Sequence, residues 1–499
     1  MVTEPVQRPA SLEAGQVIDG FRLEERAHQG GMAVLWRVSR VGPAPAGEPP
    51  LLLMKVPRIK GGEDPATIVG FEVEQMIMPA LAGVHVPRFV AKGDFTRQPY
   101  IVMERIAGNS LKPRFDAAPI AIDEVVRIGW KVANALHDLH RQHVVHLDVK
   151  PSNIMFRPVV DVAGKRAGGE AVLIDFGLSR HDHLPDLLEE EFELPMGTGP
   201  YMSPEQVQFV RNDPRSDLFS LGVMLYQLTT GERPFGAPTS VRGLRQRLYR
   251  EPVAPRLLRS DCPPWLQEVI LRCLEVDPAQ RHQSAAQLAF ELQHPDQIAL
   301  TARAERNTRG GRLTVMKRWF KAIGSEARGG SGSHGRSAGQ TAGSPILLAA
   351  LDVAGAEASL LDAVRHTAQR LLQTEPGARL ACLAVMKTNR IGIDELVESD
   401  GSSKHVNLLV QLKHWARPLE QLLAIGKDAP AGRVTFHVLE ASDAANAIVD
   451  YARKNQVDHI VMGARSSGGL RRYLGSVSAQ VVAESDCTVT VVRSASGST

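Results

Sequence analysis

Cysteine is scarce in this chain. Four residues in 499 (Cys262, Cys273, Cys382 and Cys487) lie far apart, at separations that match no metal-binding or redox spacing. That pattern excludes a disulfide scaffold and suits reduced, buried thiols in a reducing cytoplasm. Long apolar runs are also missing: none approaches the roughly 18 to 20 residues that a membrane helix needs. The N-terminal MVTEPVQRPASLEAG lacks the apolar core of a signal peptide, so neither a transmembrane segment nor secretion is expected. Charge of one sign is not in excess either. A formal net charge of +3 gives no general polyanion-binding signal, and no nucleic-acid partner is expected. What the chain does have is length: 499 residues exceed what one hydrophobic core usually organises, so two or more domains are expected.

The apolar pattern divides the chain. After an N-terminal segment, 1–20, short alternating runs (FRLEERAHQ, AVLWRVSR, LLLMKVP) give way to helix-period runs such as IDEVVRIGWKVANALHDLHRQH. This predicts a strand-rich lobe over about 21–106 and a helical one over about 107–298. Residues 299–343 turn to Gly, Ser and Arg, a composition that buries too little apolar surface to order itself, and read as a flexible basic linker. Inside it, RLTVMKRWFKAIG (Arg312 to Gly324) reads as a short amphipathic helix packed on one of the domains, or alternatively docked on anionic membrane. Over 344–499 strands alternate with helices near 359–373, 406–425 and 444–455, which predicts a doubly wound parallel α/β sheet.

Within 21–298 the polar residues arrive in an informative order. HQGGMAVLW is a turn between two candidate strands, where Gly30 and Gly31 let backbone N–H groups approach phosphate oxygens. Lys55 follows on the next strand, and Glu74 lies nineteen residues later on a predicted helix, able to pair with it; Glu72 is the rival, two residues away on another helix face. HLDVKPSN then sets Asp148, Lys150 and Asn153 in one loop: a carboxylate to accept a hydroxyl proton, a cation, and an amide oxygen for a metal. VLIDFG adds Asp175, a hard oxygen donor suited to Mg2+. With TGPYMSPE (Thr198 to Glu205), SDLFSLG (Ser216 to Gly222) and Arg281, these motifs resemble the protein kinase superfamily over roughly Phe21 to Ile298.

The resemblance implies an α+β bilobal fold, Mg2+ or Mn2+ with ATP as cofactors, and protein substrates. It implies a Lys55–Glu74 ion pair, Asp148 as catalytic base, Lys150 as the γ-phosphate contact, Asn153 and Asp175 as metal ligands, and Met103, Glu104 and Ile106 along the adenine hinge. It further implies that Glu205 pairs with Arg281 and that Asp217 holds the catalytic loop's backbone. Lys150 and Thr198 resemble the serine/threonine branch. Three positions depart from the pattern. His28 and Ala33 replace two loop glycines, which would weaken phosphate contact, and Leu147 replaces the Arg that in many kinases receives a phosphorylated activation loop. From Leu178 to Met196 the only hydroxyl is Ser179. The loop is therefore expected to order without phosphate, and its EEEFE run to be a solvated acidic surface, or alternatively to pair with basic residues of the small lobe.

In the last third, Asp352 ends the first strand, and GARSSGGLRRYLGSVS follows the fourth, closing in a small-residue turn that opens a helix, a place that attracts phosphate. Residues 344–493 resemble the universal stress protein family. Gly463, Gly475 and Ser476 match the glycine-rich loop of its nucleotide-binding members; Ser466 does not. The terminal CTVTVVR is expected as an exposed edge strand supporting a homodimer, unless the linker helix covers it. The expectation is thus a cytoplasmic serine/threonine protein kinase, likened to stress signalling by its C-terminal domain. The alternative is an inert, nucleotide-binding pseudokinase scaffold.

Overall fold

A computed structural model of the chain describes residues 12–59, 65–160, 166–307, 345–375, 377–387, 403–423, 432–464 and 475–493. The N-terminal sheet runs through β1 (Val17–Ile18), β2 (Phe21–Gln29), β3 (Ala33–Arg40), β4 (Leu52–Pro57), β5 (Phe89–Gly93) and β6 (Tyr100–Glu104), all antiparallel, in the order β1-β2-β3-β4-β6-β5. The two-residue period sorts β4: Leu52, Met54 and Val56 enter a core with Trp36, Val38 and Val102, which leaves Lys55 on the opposite face. Helix α1 (Pro65–Ile77) packs there, burying Ile68, Phe71 and Ile77.

The larger lobe is organised by α2 (Ile122–His140), whose Val125, Ile128, Val132, Leu136 and Leu139 recur at helical spacing and are all buried. Two strand pairs then decide where the polar loops go. β7 (Val144–Val145) and β8 (Ile154–Val160) flank the HLDVKPSN loop, while β9 (Arg166–Leu173) and β10 (Arg180–His181) flank the DFG turn. Because β8 pairs with β9 and β7 with β10, the two loops are forced side by side. Helices α3 (Leu187–Glu191), α4 (Arg215–Thr230), α5 (Pro264–Cys273) and α6 (Ala285–Gln293) complete the lobe.

Residues 301–306, expected at the start of the linker, contact the large lobe. Buried Glu268 on α5 takes hydrogen bonds from the Thr301 N–H at 3.1 Å and the Ala304 N–H at 3.1 Å, and Arg303 pairs with Glu268 and with Glu275. A buried carboxylate needs such partners, so it draws residues 301–306 onto the lobe. The amphipathic stretch 312–324 lies outside the described residues.

The C-terminal sheet is parallel throughout: β11 (Ile346–Ala350), β12 (Arg379–Lys387), β13 (Val434–Ala441), β14 (His459–Gly463) and β15 (Thr488–Val492), in the order β13-β12-β11-β14-β15. It is covered by α7 (Ala358–Thr374), α8 (Lys404–Leu423), α9 (Ala444–Lys454) and α10 (Ser476–Glu484). Every residue of β11 is buried, as a central strand covered on both faces requires. β15 is an edge, as expected. The opposite edge, β13, and α9 pack on α3 of the N-terminal domain. All four cysteines are free thiols, and among the described residues no helix is long and apolar enough to cross a membrane.

Candidate active site and its support

Lys55 Nζ lies 2.5 Å from Glu74 Oε2 and 2.8 Å from Asp175 Oδ1, joining β4, α1 and the DFG turn through one ammonium. Burial opposes the Lys55 charge, but Asp175 and Glu74 outweigh it and hold the ammonium above its ordinary value. Lys55, in turn, holds the Asp175 carboxyl down to about 2, so the group stays anionic. The Asp175 side chain is partly exposed, with Oδ1 on Lys55. Helix α1 reaches this position because two glycines meet: a Cβ at Gly70 would stand 3.0 Å from the Gly177 carbonyl oxygen. A side chain there would ask the Gly177 turn to give by a few tenths of an ångström.

The catalytic loop is pinned from below. Fully buried Asp217 accepts the His146 N–H at 2.9 Å and the Leu147 N–H at 2.8 Å, and its Oδ2 meets His140 Nε2 at 2.9 Å. These bonds hold Leu147 in the left-handed region at φ 60°. Asp148 Oδ1 then accepts from the Thr198 hydroxyl at 2.7 Å, and Oδ2 accepts from Lys150 Nζ at 2.6 Å and Asn153 Nδ2 at 3.1 Å. Sequence reasoning used Thr198 only as a branch marker and missed this contact. The carboxylate is oriented by three donors, one of which, Lys150, also lies near enough to Asp175 to help hold that carboxyl down. Asn153 and Asp175 form an amide and carboxylate set of hard oxygen donors. Among the described residues no cluster of three or more His, Cys, Asp or Glu could hold a metal, so this pair would need phosphate oxygens to complete a Mg2+ shell. The residues present fit Mg·ATP in that sense.

At the expected hinge, Met103 and Ile106 are buried, but the Glu104 carboxylate is taken by Arg157 at 2.9 Å and by the Arg88 N–H at 3.2 Å. The Glu104 N–H is taken too, donating to the Arg88 carbonyl at 2.8 Å. Gly30 and Gly31 form the β2–β3 turn, closed by a Gly30 N–H to Ala33 carbonyl bond of 3.0 Å.

The EEEFE run is solvated only in part: Glu193 is exposed, but Glu190 and Glu191 are not free in solvent. Glu190 is buried and meets Arg379 of β12 through two bonds of 2.7 and 2.6 Å, with the Tyr451 hydroxyl at 3.1 Å; Glu191 meets His437 Nδ1 at 3.0 Å. Its partners lie in the C-terminal domain, not the small lobe. Burial pushes the Glu191 carboxyl up to about 7. Upstream, Asp186 caps α3 through the Glu189 N–H at 3.2 Å, pairs with Arg211 at 2.8 Å and lies 3.6 Å from Arg180. A permanent carboxylate thus ties the segment to two cations. Ser179 is buried and donates to the His146 carbonyl at 3.0 Å, which keeps it out of reach of a modifying enzyme. Phosphatase-treated protein is therefore expected to transfer phosphate from the first turnover, and Ser179→Ala to cost about 1 kcal/mol of stability with no regulatory effect. A lag removed by prior incubation with ATP, with phosphate mapped between Leu178 and Met196, would overturn this.

The second site is a crevice of about 580 Å3 at the carboxyl ends of β11 and β14, where the strand order reverses. Asp352, Gly463, Gly475 and Ser476 all line it, joined by Lys404, Asn407 and Gln411 of α8. Gly463 has a packing reason for its identity, because a Cβ there would come within 2.9 Å of Leu360. The loop joining Gly463 to Gly475, with Ser466, lies outside the described residues.

Comparison with known proteins places these sites in two families. Residues 71–294 match the protein kinase domain model, and residues 345–493 match that of the universal stress protein family. Serine/threonine-protein kinase pkn3 of Myxococcus xanthus is 30% identical over 72% of this chain and 66% of its own length. Serine/threonine-protein kinase PknB of Mycolicibacterium smegmatis is 33% identical over 42% of this chain and 33% of its own length. The chain therefore spans less than two thirds of these curated relatives. The crystal structure of the Mycobacterium tuberculosis PknI kinase domain aligns at 22% identity with a TM-score of 0.43, covering 57% of this chain and 99% of that one.

Proposed function

We propose that this chain, a protein kinase domain joined to a universal stress protein domain, transfers the γ-phosphoryl of Mg·ATP to serine or threonine hydroxyls of protein substrates in the cytoplasm. The observation that carries the reading is the Asp148 carboxylate, held by Thr198, Lys150 and Asn153, with Lys150 also acting on Asp175 of the Lys55–Glu74–Asp175 cluster. Bound Mg·ATP would supply the phosphoryl group. Asp148 would accept the proton of the attacking hydroxyl, and Lys150 would meet the charge developing on the transferred group. Asn153 and Asp175 would hold the metal, Lys55 the α and β phosphates, and Gly30 and Gly31 the loop above them. Met103, Glu104 and Ile106 would border the adenine. Incorporation of radiolabelled γ-phosphate into generic protein substrates with Mg2+ or Mn2+ tests this. ATP binding without transfer would favour the scaffold reading.

The crevice of the stress protein domain would take a nucleotide, with Asp352, Gly463, Gly475 and Ser476 as contacts. A homodimer through β15 is part of the same reading. Thr488 N and Val492 O bond toward β14, so Val489 and Val491 turn their backbone groups to the open edge. The full chain is expected to sediment as a dimer and Val491→Pro as a monomer. Monomeric wild type at tens of micromolar, roughly where a modest interface shows, would remove the proposal.

A further inference from the structure

The two N-terminal elements that must be placed for transfer, α1 and the segment bearing α3, are both held by the C-terminal domain. On α3, Glu190 sits in a buried pocket of Arg379, His437 and Tyr451, and Lys454 Nζ reaches the Phe192 carbonyl at 3.4 Å. On α1, Glu72 pairs with Lys413 of α8 at 2.7 Å, and that ammonium also lies over the rings of Phe95 and Phe436. Glu72 is two residues from Glu74, so one helix is gripped on one face by Lys413 and on the other by Lys55. Helix α1 also packs directly on α3, which makes the gripped elements a single unit. No acceptor hydroxyl lies on the segment beyond buried Ser179.

We propose that the stress protein domain is the partner surface that positions α1 and α3 for catalysis, doing the ordering that a phosphate on the segment does in kinases regulated there. Lys413 and Arg379 are its positioning residues; neither touches a reacting atom. The proposal rests on the kinase reading. Buried ion pairs of this kind fix an arrangement more than they add stability, because each charge has lost its water and accepts only its own partner. Exposure of the same face would leave Glu72, Glu190 and Glu191 in solvent, and α1 would lose the grip of Lys413 and keep only that of Lys55.

The test uses the full chain in five forms: wild type, Asp148→Asn as the blank, Lys413→Glu, Lys413→Glu with Glu72→Lys, and Arg379→Glu. Lys413→Glu and Arg379→Glu are expected to lower Asp148-dependent kcat roughly 10- to 100-fold, the scale of a misplaced catalytic group. The charge swap is expected to restore most of it, which a merely structural loss would not do. Amide exchange over 65–77 and 187–191 should quicken in the single variants and slow again in the swap. Undocked variants with unchanged turnover would overturn the proposal. So would equal exchange of α3 in wild type and Arg379→Glu. Absence of Asp148-dependent transfer in the wild type would instead defeat the kinase reading, and exchange alone would then decide whether the surfaces dock.

Discussion

Asp148→Asn should reduce phosphoryl transfer by roughly 10^2- to 10^4-fold, the range associated with loss of a positioned general base. The substitution keeps the shape of the side chain. Asn153 retains its bond to the Asp148 carbonyl at 3.1 Å, and the loop stays pinned by Asp217. Thermal stability should therefore hardly move while kcat collapses and the KM for ATP stays near its wild-type value. Asp175→Ala separates the metal from the proton. It removes the anion that Lys55 holds and that a divalent cation would share, so it should raise the KM for Mg·ATP as well as lower kcat. Equal background incorporation by wild type and both variants would leave the scaffold reading standing.

The largest stability effect is expected at Arg281. Its side chain is completely buried and all five N–H donors are used: Nε to the Glu275 carbonyl at 2.8 Å, Nη1 to Glu205 at 2.6 Å and Arg215 O at 2.9 Å, Nη2 to Glu205 at 2.8 Å and Val276 O at 3.1 Å. Ser216 adds a bond to the same Glu205 oxygen at 2.7 Å. Arg281→Met strands that carboxylate without its counter-charge, at a cost of about 3–5 kcal/mol, or roughly 6–20 °C in Tm for a domain of this size. Pairing it with Glu205→Leu should recover part of the loss, since neither charge is then buried alone. Calorimetry on the three proteins decides it. A drop below 1 kcal/mol in the single variant would mean that water reaches Glu205.

The parts of the fold that could be read from the sequence are those set by local spacing. Lys55 on a strand and Glu74 on the following helix meet as the period-two and helical patterns require, and HLDVKPSN carries its three functional side chains within six residues. The alternating strands and helices after residue 344 gave both the parallel sheet and its open edge. The acidic run was misread for a physical reason. Glu190 finds Arg379 189 residues away, and a buried ion pair between domains leaves no periodicity in the sequence around either partner. Glu72 was correctly set on another face from Glu74, but Lys413 could not be identified from that. Residues 301–306 looked like linker because their own composition is polar; the order comes from Glu268, not from them. Thr198 shows the same limit at short range, since its hydroxyl reaches Asp148 only after the segment has folded back.

Helix α8 carries Lys404, Asn407 and Gln411 into the crevice and, one half-turn further on, Lys413 onto Glu72. Crevice lining and kinase contact thus sit on one helix, and thermodynamic reciprocity governs any coupling between them. A molecule that fills the crevice tenfold more tightly in the docked arrangement favours docking by the same factor, ~1.4 kcal/mol. For such a molecule the converse holds with equal force: whatever favours docking of α1 tightens the crevice's hold on it by the same factor. A change at the catalytic end can then be read as an affinity at the other, without any product being counted.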